Sequence, residues 1–264
     1  MQLNLLIRKI KNIEIQGAKE IAIESLKFLK TFALKNGFGK KFDVVCKELE
    51  SARPTAVVLH NCIEIIKKER SIEAIDKLLE QLQTDNISKH GLKVIRKKSV
   101  IMTHCHSSEA ISLIKKTMPK KVFATETDPK EQGVKTAKEL AKEKVSVVLI
   151  IDSASGFFMP EVDYVIVGAD AIRKEGVVNK IGTYPLGALA KEHKKPFYVV
   201  ADSLKIDTRR NFVIEERPAE EVHKKIKGVK IRNPAFDITP WKFVTGVIME
   251  SGVFKPVKIK EMIK

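Results

Sequence analysis

Cys105 stands between two histidines in the run Lys98-Ser-Val-Ile-Met-Thr-His-Cys-His106, where a short apolar stretch ends in a polar tip. A thiol at such a tip can act as acid, base or nucleophile once a cation or a helix N-terminus lowers its pKa. A helix starting near Ser107 or Ser108, with His104 and His106 beside it, would supply both. The commoner fate of cysteine is a small buried hydrophobe, which suits Cys46 and Cys62 inside amphipathic segments. A second run, Tyr164-Val-Ile-Val-Gly-Ala-Asp170, also ends in a group that carries a proton. A thiol and a carboxylate in opposed environments can divide the roles of proton donor and acceptor. The alternative for Asp170 is a turn or helix-cap residue. Asn179-Lys-Ile-Gly-Thr183 adds a cation, a glycine and a hydroxyl ahead of a helix, a reasonable anion cradle without P-loop spacing.

These tips need strands to carry them. After Gly91, short β-branched runs alternate with amphipathic segments. The spacing predicts strands over 99–102, 122–125, 145–151, 164–167 and 197–201, with helices over 108–117, 131–143 and 185–192. Strands joined by helix-length crossovers make a parallel sheet covered on both faces, whose ligands bind at the strands' carboxyl ends. Residues 203–245 read as irregular and charged, ahead of a last strand at 246–250. Upstream, Ile21, Leu26, Leu29, Phe32 and Leu34 recur at helical spacing, and Gly37 and Gly39 mark a turn. Further helices are expected over 42–49, 56–67 with Pro54 in its first turn, and 71–82. The expected fold class is α/β: an all-helical N-terminal domain over 1–92, then a Rossmann-like, doubly wound, mostly parallel sheet domain over 93–264.

At 264 residues and 44% hydrophobic, the chain can bury two modest cores. Its net charge of +16 comes with abundant Glu beside Lys, which reads first as a surface of interspersed ion pairs, and the excess favours anionic partners. Three cysteines without a CxxC pair suggest neither a disulfide framework nor a zinc site, and the histidines form no obvious metal set. No GxGxxG or Walker pattern supports dinucleotide or nucleoside-triphosphatase chemistry. No cofactor and no metal are therefore expected. No run is long and apolar enough for a signal peptide core or a bilayer span, so a cytoplasmic protein without membrane contact is expected.

One ordered series of motifs goes further: Arg53-Pro-Thr-Ala56, Thr103-His-Cys-His106, Thr125-Glu-Thr-Asp-Pro129 with Gln132-Gly133, Gly168-Ala-Asp170, Asn179-Lys-Ile-Gly-Thr183 and Asn233-Pro-Ala-Phe-Asp-Ile-Thr-Pro240. Along essentially its whole length the chain resembles the alpha, beta and delta regulatory subunits of initiation factor 2B. Methylthioribose-1-phosphate isomerase and archaeal ribose-1,5-bisphosphate isomerase are relatives of those subunits. The resemblance implies that Cys105 and Asp170 are a catalytic pair if the chain is an isomerase. It implies a ligand-binding set of Gln16, Gly17, Ala18, Arg53, Thr103, His104, Asp128, Asn179 and Lys180. It also implies a homodimer or higher homo-oligomer.

Two departures decide between the functions. Where the isomerases usually carry Arg-Gly-Ala and Glu-Thr-Arg-Pro, this chain has Gln16-Gly17-Ala18 and Thr127-Asp128-Pro129. Losing two guanidinium groups, one to a carboxylate, removes phosphate anchors and sets an anion against an anion. On that ground the leading expectation is a regulatory or scaffold subunit that binds the alpha subunit of initiation factor 2 and keeps a pocket for a sugar phosphate or nucleotide. The alternative is a sugar-phosphate isomerase that opens a ribose 1-phosphate and moves hydrogen between C1 and C2. Direct RNA binding, resting on charge alone, is the weakest reading.

Overall fold

The protein is represented by a computed structural model that describes residues 2–12, 14–15 and 17–263. It divides into two compact units, Met1–Thr84 and Asp85–Lys264. The division falls ahead of the expected boundary at 92/93 because residues 85–91 are fastened forward. Asp85 accepts hydrogen bonds from Ser112 Oγ (2.5 Å) and Lys116 Nζ (2.6 Å). A Cβ on Gly91 would sit 2.5 Å from Leu113 Cδ1, so that backbone lies directly on the Leu113 side chain.

The first unit holds helices α1 (Leu3–Lys11), α2 (Ala18–Asn36), α3 (Lys40–Ala52), α4 (Val57–Glu69) and α5 (Ile72–Gln83). Burial follows helical period: α2 packs Ala22, Leu26, Leu29 and Ala33 inward, so Leu34 of the expected stripe is exposed and Ala33 takes its place. At α5 the Ser71 hydroxyl accepts from the Ala74 amide, and Ile75, Leu78 and Leu82 are buried. Pro54 precedes α4 in a turn rather than opening it, with the Ala56 amide donating to the Arg53 carbonyl.

The second unit runs α6 (Ser88–Gly91), β1 (Val100–Thr103), α7 (Ser108–Thr117), β2 (Lys121–Thr125), α8 (Gln132–Lys142), β3 (Val147–Ile150), α9 (Ser155–Phe158), β4 (Tyr164–Val167), β5 (Ala171–Ile172), β6 (Gly176–Lys180), α10 (Thr183–Glu192), β7 (Phe197–Val200), β8 (Phe236–Pro240), β9 (Gly246–Met249), β10 (Gly252–Phe254) and α11 (Pro256–Met262). The helix at 108–117 and the strand at 164–167 match the sequence expectation residue for residue. Seven strands form one sheet in the order β10-β9-β7-β4-β1-β2-β3, parallel except for β10 on β9. Consecutive residues go to opposite faces. Met102, Phe123, Val165, Val199 and Val247 pack in one buried cluster, and their neighbours Ile101, Val122, Ile166, Val200 and Ile248 in another. A sheet buried on both faces needs such continuous apolar runs, and the expected α/β class stands.

β5, β6 and β8 make a separate antiparallel sheet, in which residues 176–180 lie against 236–240 inside the stretch expected to be irregular.

Candidate active site

The chain leaves β1 for β2 on one side, whereas β4 lies on the other, so the strand order reverses between β1 and β4. At such a reversal the two following loops diverge and open a crevice at the strands' carboxyl ends. Cys105 follows β1, and Gly168-Ala-Asp170 follows β4. The loops touch: a Cβ on Gly168 would lie 2.5 Å from Ser107 Cβ, so only glycine lets the backbone pass. The Asp170 amide donates to the Val178 carbonyl at 2.9 Å, tying that loop to β6.

Cys105 adopts a left-handed backbone, φ 68°, which costs a residue with a Cβ roughly 1–2 kcal/mol. Its surroundings hold it there. The Cys105 amide donates to Thr127 Oγ1 (2.9 Å), and Thr136 Oγ1 donates to the Cys105 carbonyl (2.7 Å). The thiol donates to Gln132 Oε1 at 3.4 Å. Thr127 is fixed in turn by Asp152, whose carboxylate accepts the Thr127 and Asp128 amides, each at 2.9 Å. A Cβ on Gly133 would fall 1.6 Å from the Thr125 carbonyl oxygen, so glycine is what allows α8 to start so close to β2.

The two histidines have fixed roles. His104 is buried, and its Nε2 lies 2.8 Å from the Ile181 carbonyl, which only accepts; Nε2 therefore carries the proton. Burial holds its pKa below the ordinary value, so the ring is neutral and Nδ1 accepts from Thr125 Oγ1 at 2.7 Å. His106 turns towards α8, its Nδ1 3.1 Å from Thr136 Oγ1. Because Thr136 spends its hydrogen on the Cys105 carbonyl, His106 Nδ1 is the donor. Burial and nearby Lys135 lower its pKa. Neither ring is the cation that the sequence suggested would activate Cys105.

The α7 terminus does not activate it either, since the Ser107 hydroxyl already accepts the Ala110 amide. Burial pushes the Cys105 thiol up to about 12, with Asp170 and Asp152 raising it further and Lys180 opposing them. Cys105 is thus a thiol at neutral pH, with Asp170 and Lys180 close enough to act on it. This arrangement offers a proton donor, a carboxylate and one ammonium at the mouth of the crevice.

The remaining expected residues divide. Thr103 is buried at the end of β1. Asn179 is buried and donates to Thr183 Oγ1 (3.0 Å), so it braces the loop before α10. The Gly182 and Tyr184 amides of that cradle donate to the Asp237 carboxylate. Asp128 is exposed, with its amide donating to Asp152. Lys130 pairs with Glu221 at 3.0 Å. Gly17, Ala18 and Arg53 belong to the N-terminal unit: Gly17 precedes α2 with φ 88°, and Arg53 ends α3. Gln16 lies outside the described residues. In the same unit Glu50, His60 and Glu64 bring potential ligand atoms within 4.8 Å of one another, and Lys67 already neutralises the two carboxylates at 3.2 and 3.1 Å.

Sequence reasoning missed Asp152 and Asp237. Asp152 had a readable signal, an acidic residue just past an apolar run, as at Asp170. Asp237 stood in the Asn233–Pro240 motif, but its contact was not readable because its partner loop is 53–55 residues away.

Comparison with known proteins shows relatives that share this fold. A family model, the Initiation factor 2 subunit family, matches residues 14–256. The ribose 1,5-bisphosphate isomerase of Methanocaldococcus jannaschii is 42% identical over 94% of this chain and 90% of its own. The methylthioribose-1-phosphate isomerase of Acetivibrio thermocellus is 37% identical over 96% and 86%. The crystal structure of the Pyrococcus horikoshii OT3 translation initiation factor eIF-2B superposes with a TM-score of 0.83 at 29% identity, covering 97% of this chain and 98% of that one. The greater similarity to proteins named as isomerases overturns the leading expectation of a regulatory translation subunit. Binding of the initiation factor 2 alpha subunit, expected on that reading, is left without support. The matched family model and the relatives together show that this chain belongs to the initiation factor 2 subunit family.

Proposed function

We propose that this chain is a cytoplasmic sugar-phosphate isomerase that converts a ribose 1-phosphate, ribose 1,5-bisphosphate before methylthioribose 1-phosphate, into the corresponding ketose. The observation that carries the reading is the meeting of Cys105 and Asp170 at the two loops flanking the strand-order reversal, with Lys180 beside them. Opening the ring breaks the bond between C1 and the ring oxygen, which must gain a proton; the Cys105 thiol is the donor. The carbonyl then forms at C2, whose hydroxyl must lose a proton to Asp170 while hydrogen passes from C2 to C1. The proton gained by Asp170 returns to Cys105, so atoms and charge balance over the cycle. Lys180 is the proposed phosphate partner, and Thr103 and His104 hold the strand tip in place. A homodimer is proposed on the same family resemblance, and a cytoplasmic location fits three free cysteines and the lack, among the described residues, of any helix long and apolar enough to cross a membrane.

The test is NMR turnover of ribose 1,5-bisphosphate deuterated at C2. Asp170→Asn should lower kcat by ~10²- to 10⁴-fold, the usual worth of a positioned acid or base. Deuterium retained at C1 would mean direct hydrogen transfer, and deuterium lost to water would mean a proton passing through Asp170. A parental rate in Asp170→Asn would remove the carboxylate from the chemistry.

A further inference from the structure

The β6–β8 pairing sets Asn179 opposite Asp237 and Lys180 opposite Phe236, so two motifs far apart in the chain lie side by side. Asp237 then reaches past the end of β6 to the start of α10. Its Oδ2 accepts the Gly182 amide at 2.8 Å, and both oxygens face the Tyr184 amide, at 3.1 and 3.0 Å. The Thr183 amide joins them. A helix start leaves such amides without intrahelical partners, and here one carboxylate takes three in succession.

The same loop touches the reacting group's support. Ile181, one residue before Gly182, offers its carbonyl to His104 Nε2 at 2.8 Å. Gly182, at φ 102°, lies so close to the imidazole that a Cβ would be 2.9 Å from Cε1. His104 Nδ1 receives the Thr125 hydroxyl, and the neighbouring Thr127 Oγ1 receives the Cys105 amide. Lys180 Nζ lies 5.3 Å from the ring centroid of Phe236, the residue next to Asp237. A chain of contacts therefore runs from Asp237 through residues 181–184 to His104 and on to the Cys105 backbone.

We propose that Asp237 is a positioning residue of this site, whose carboxylate fixes the 181–184 loop and through it the His104 ring and Lys180. Its effect on turnover rests on the isomerase reading; the contact itself belongs to the free protein. Asp237 is half-buried, and desolvation pushes its carboxyl up to about 6 from an ordinary 3.8, against the pull of the three amides. The titratable groups on the elements packed against β8 are Lys180 on β6 and Tyr184, Lys191 and Glu192 on α10, with His104 against Gly182. Above about 6 the carboxylate accepts all three amides; once protonated, one oxygen becomes a donor facing donors, and the loop loosens. The sign for folding is opposite. A carboxyl raised in the folded state binds its proton there first, so its contribution to stability is fully present below 3.8 and is lost as pH rises through about 6. An acid-side fall in turnover from this group is then a local loosening without unfolding.

The experiment has two readouts. In the free parent protein, the Gly182 and Tyr184 amide resonances should titrate together with a midpoint of about 6, and the titration should vanish in Asp237→Asn. In turnover of ribose 1,5-bisphosphate, Asp237→Asn should lower kcat by ~10- to 100-fold with a smaller change in KM and lose the acid limb near 6. Asp237→Glu should restore part of both. Amides that do not titrate, or Asp237→Asn with the parental kcat and acid limb, would overturn the inference. A parent protein that turns over no sugar phosphate would overturn the isomerase reading, and the amide titration in the unaltered chain would still decide this one.

Discussion

A thiol pushed up to about 12 keeps its proton through neutral pH, so Cys105 is S–H, with Gln132 Oε1 as its acceptor. Alkylating reagents attack the thiolate. Cys105 should therefore react slowly with iodoacetamide near neutrality and faster as pH rises towards about 12; rapid neutral modification would contradict the burial argument. The shift also has a stability sign. A thiol raised above its ordinary 9.0 contributes stability that is present below 9.0 and lost as pH rises through about 12. Cys105 as a candidate was legible from its position at the end of an apolar run, but the direction of its pKa was not. The sequence shows two histidines and a helix start nearby; only the fold shows one ring neutral, the other turned towards α8, and the helix start capped by Ser107.

The elements that frame the crevice are held by buried contacts that the sequence conceals. Lys205, just after β7, donates to Glu109 in the first turn of α7 at 3.0 Å, with the two side chains only 5% and 7% exposed. Lys205→Met would remove the buried ammonium that donates to Glu109 Oε1 and should lower stability by ~3–5 kcal/mol in urea unfolding. Adding Glu109→Leu should recover much of the loss, and a single-variant cost within about 1 kcal/mol, the scale of an exposed pair, would contradict the placement. Gly133→Ala should cost about 3 kcal/mol, because its Cβ would meet the Thr125 carbonyl and force α8 off β2. The parallel strands and crossover helices were readable because each is a local period: an apolar run, then an amphipathic one. The β5–β6–β8 sheet was not, since its strands are short and its central pairing joins residues 176–180 to residues 236–240. Asn179-Lys-Ile-Gly-Thr183, read as an anion cradle before a helix, spans the end of β6 and the start of α10, and the carboxylate that takes its amides lay in a different motif.

At the scale of the whole molecule, the charge of +16 and the motif series suit a protein that handles anionic sugars. The family resemblance expects sedimentation equilibrium to give twice the 29.7 kDa chain mass; a single-chain mass would contradict the proposed dimer. The charge at the two departed arginine positions pointed to a regulatory protein, and the similarity to proteins named as isomerases overturns that inference. The most direct test of the account is NMR turnover of ribose 1,5-bisphosphate and methylthioribose 1-phosphate by the purified parent beside Cys105→Ser. The account predicts ketose formation by the parent and its loss in Cys105→Ser with the fold retained. No ketose from either sugar phosphate, or equal turnover by both proteins, would contradict it.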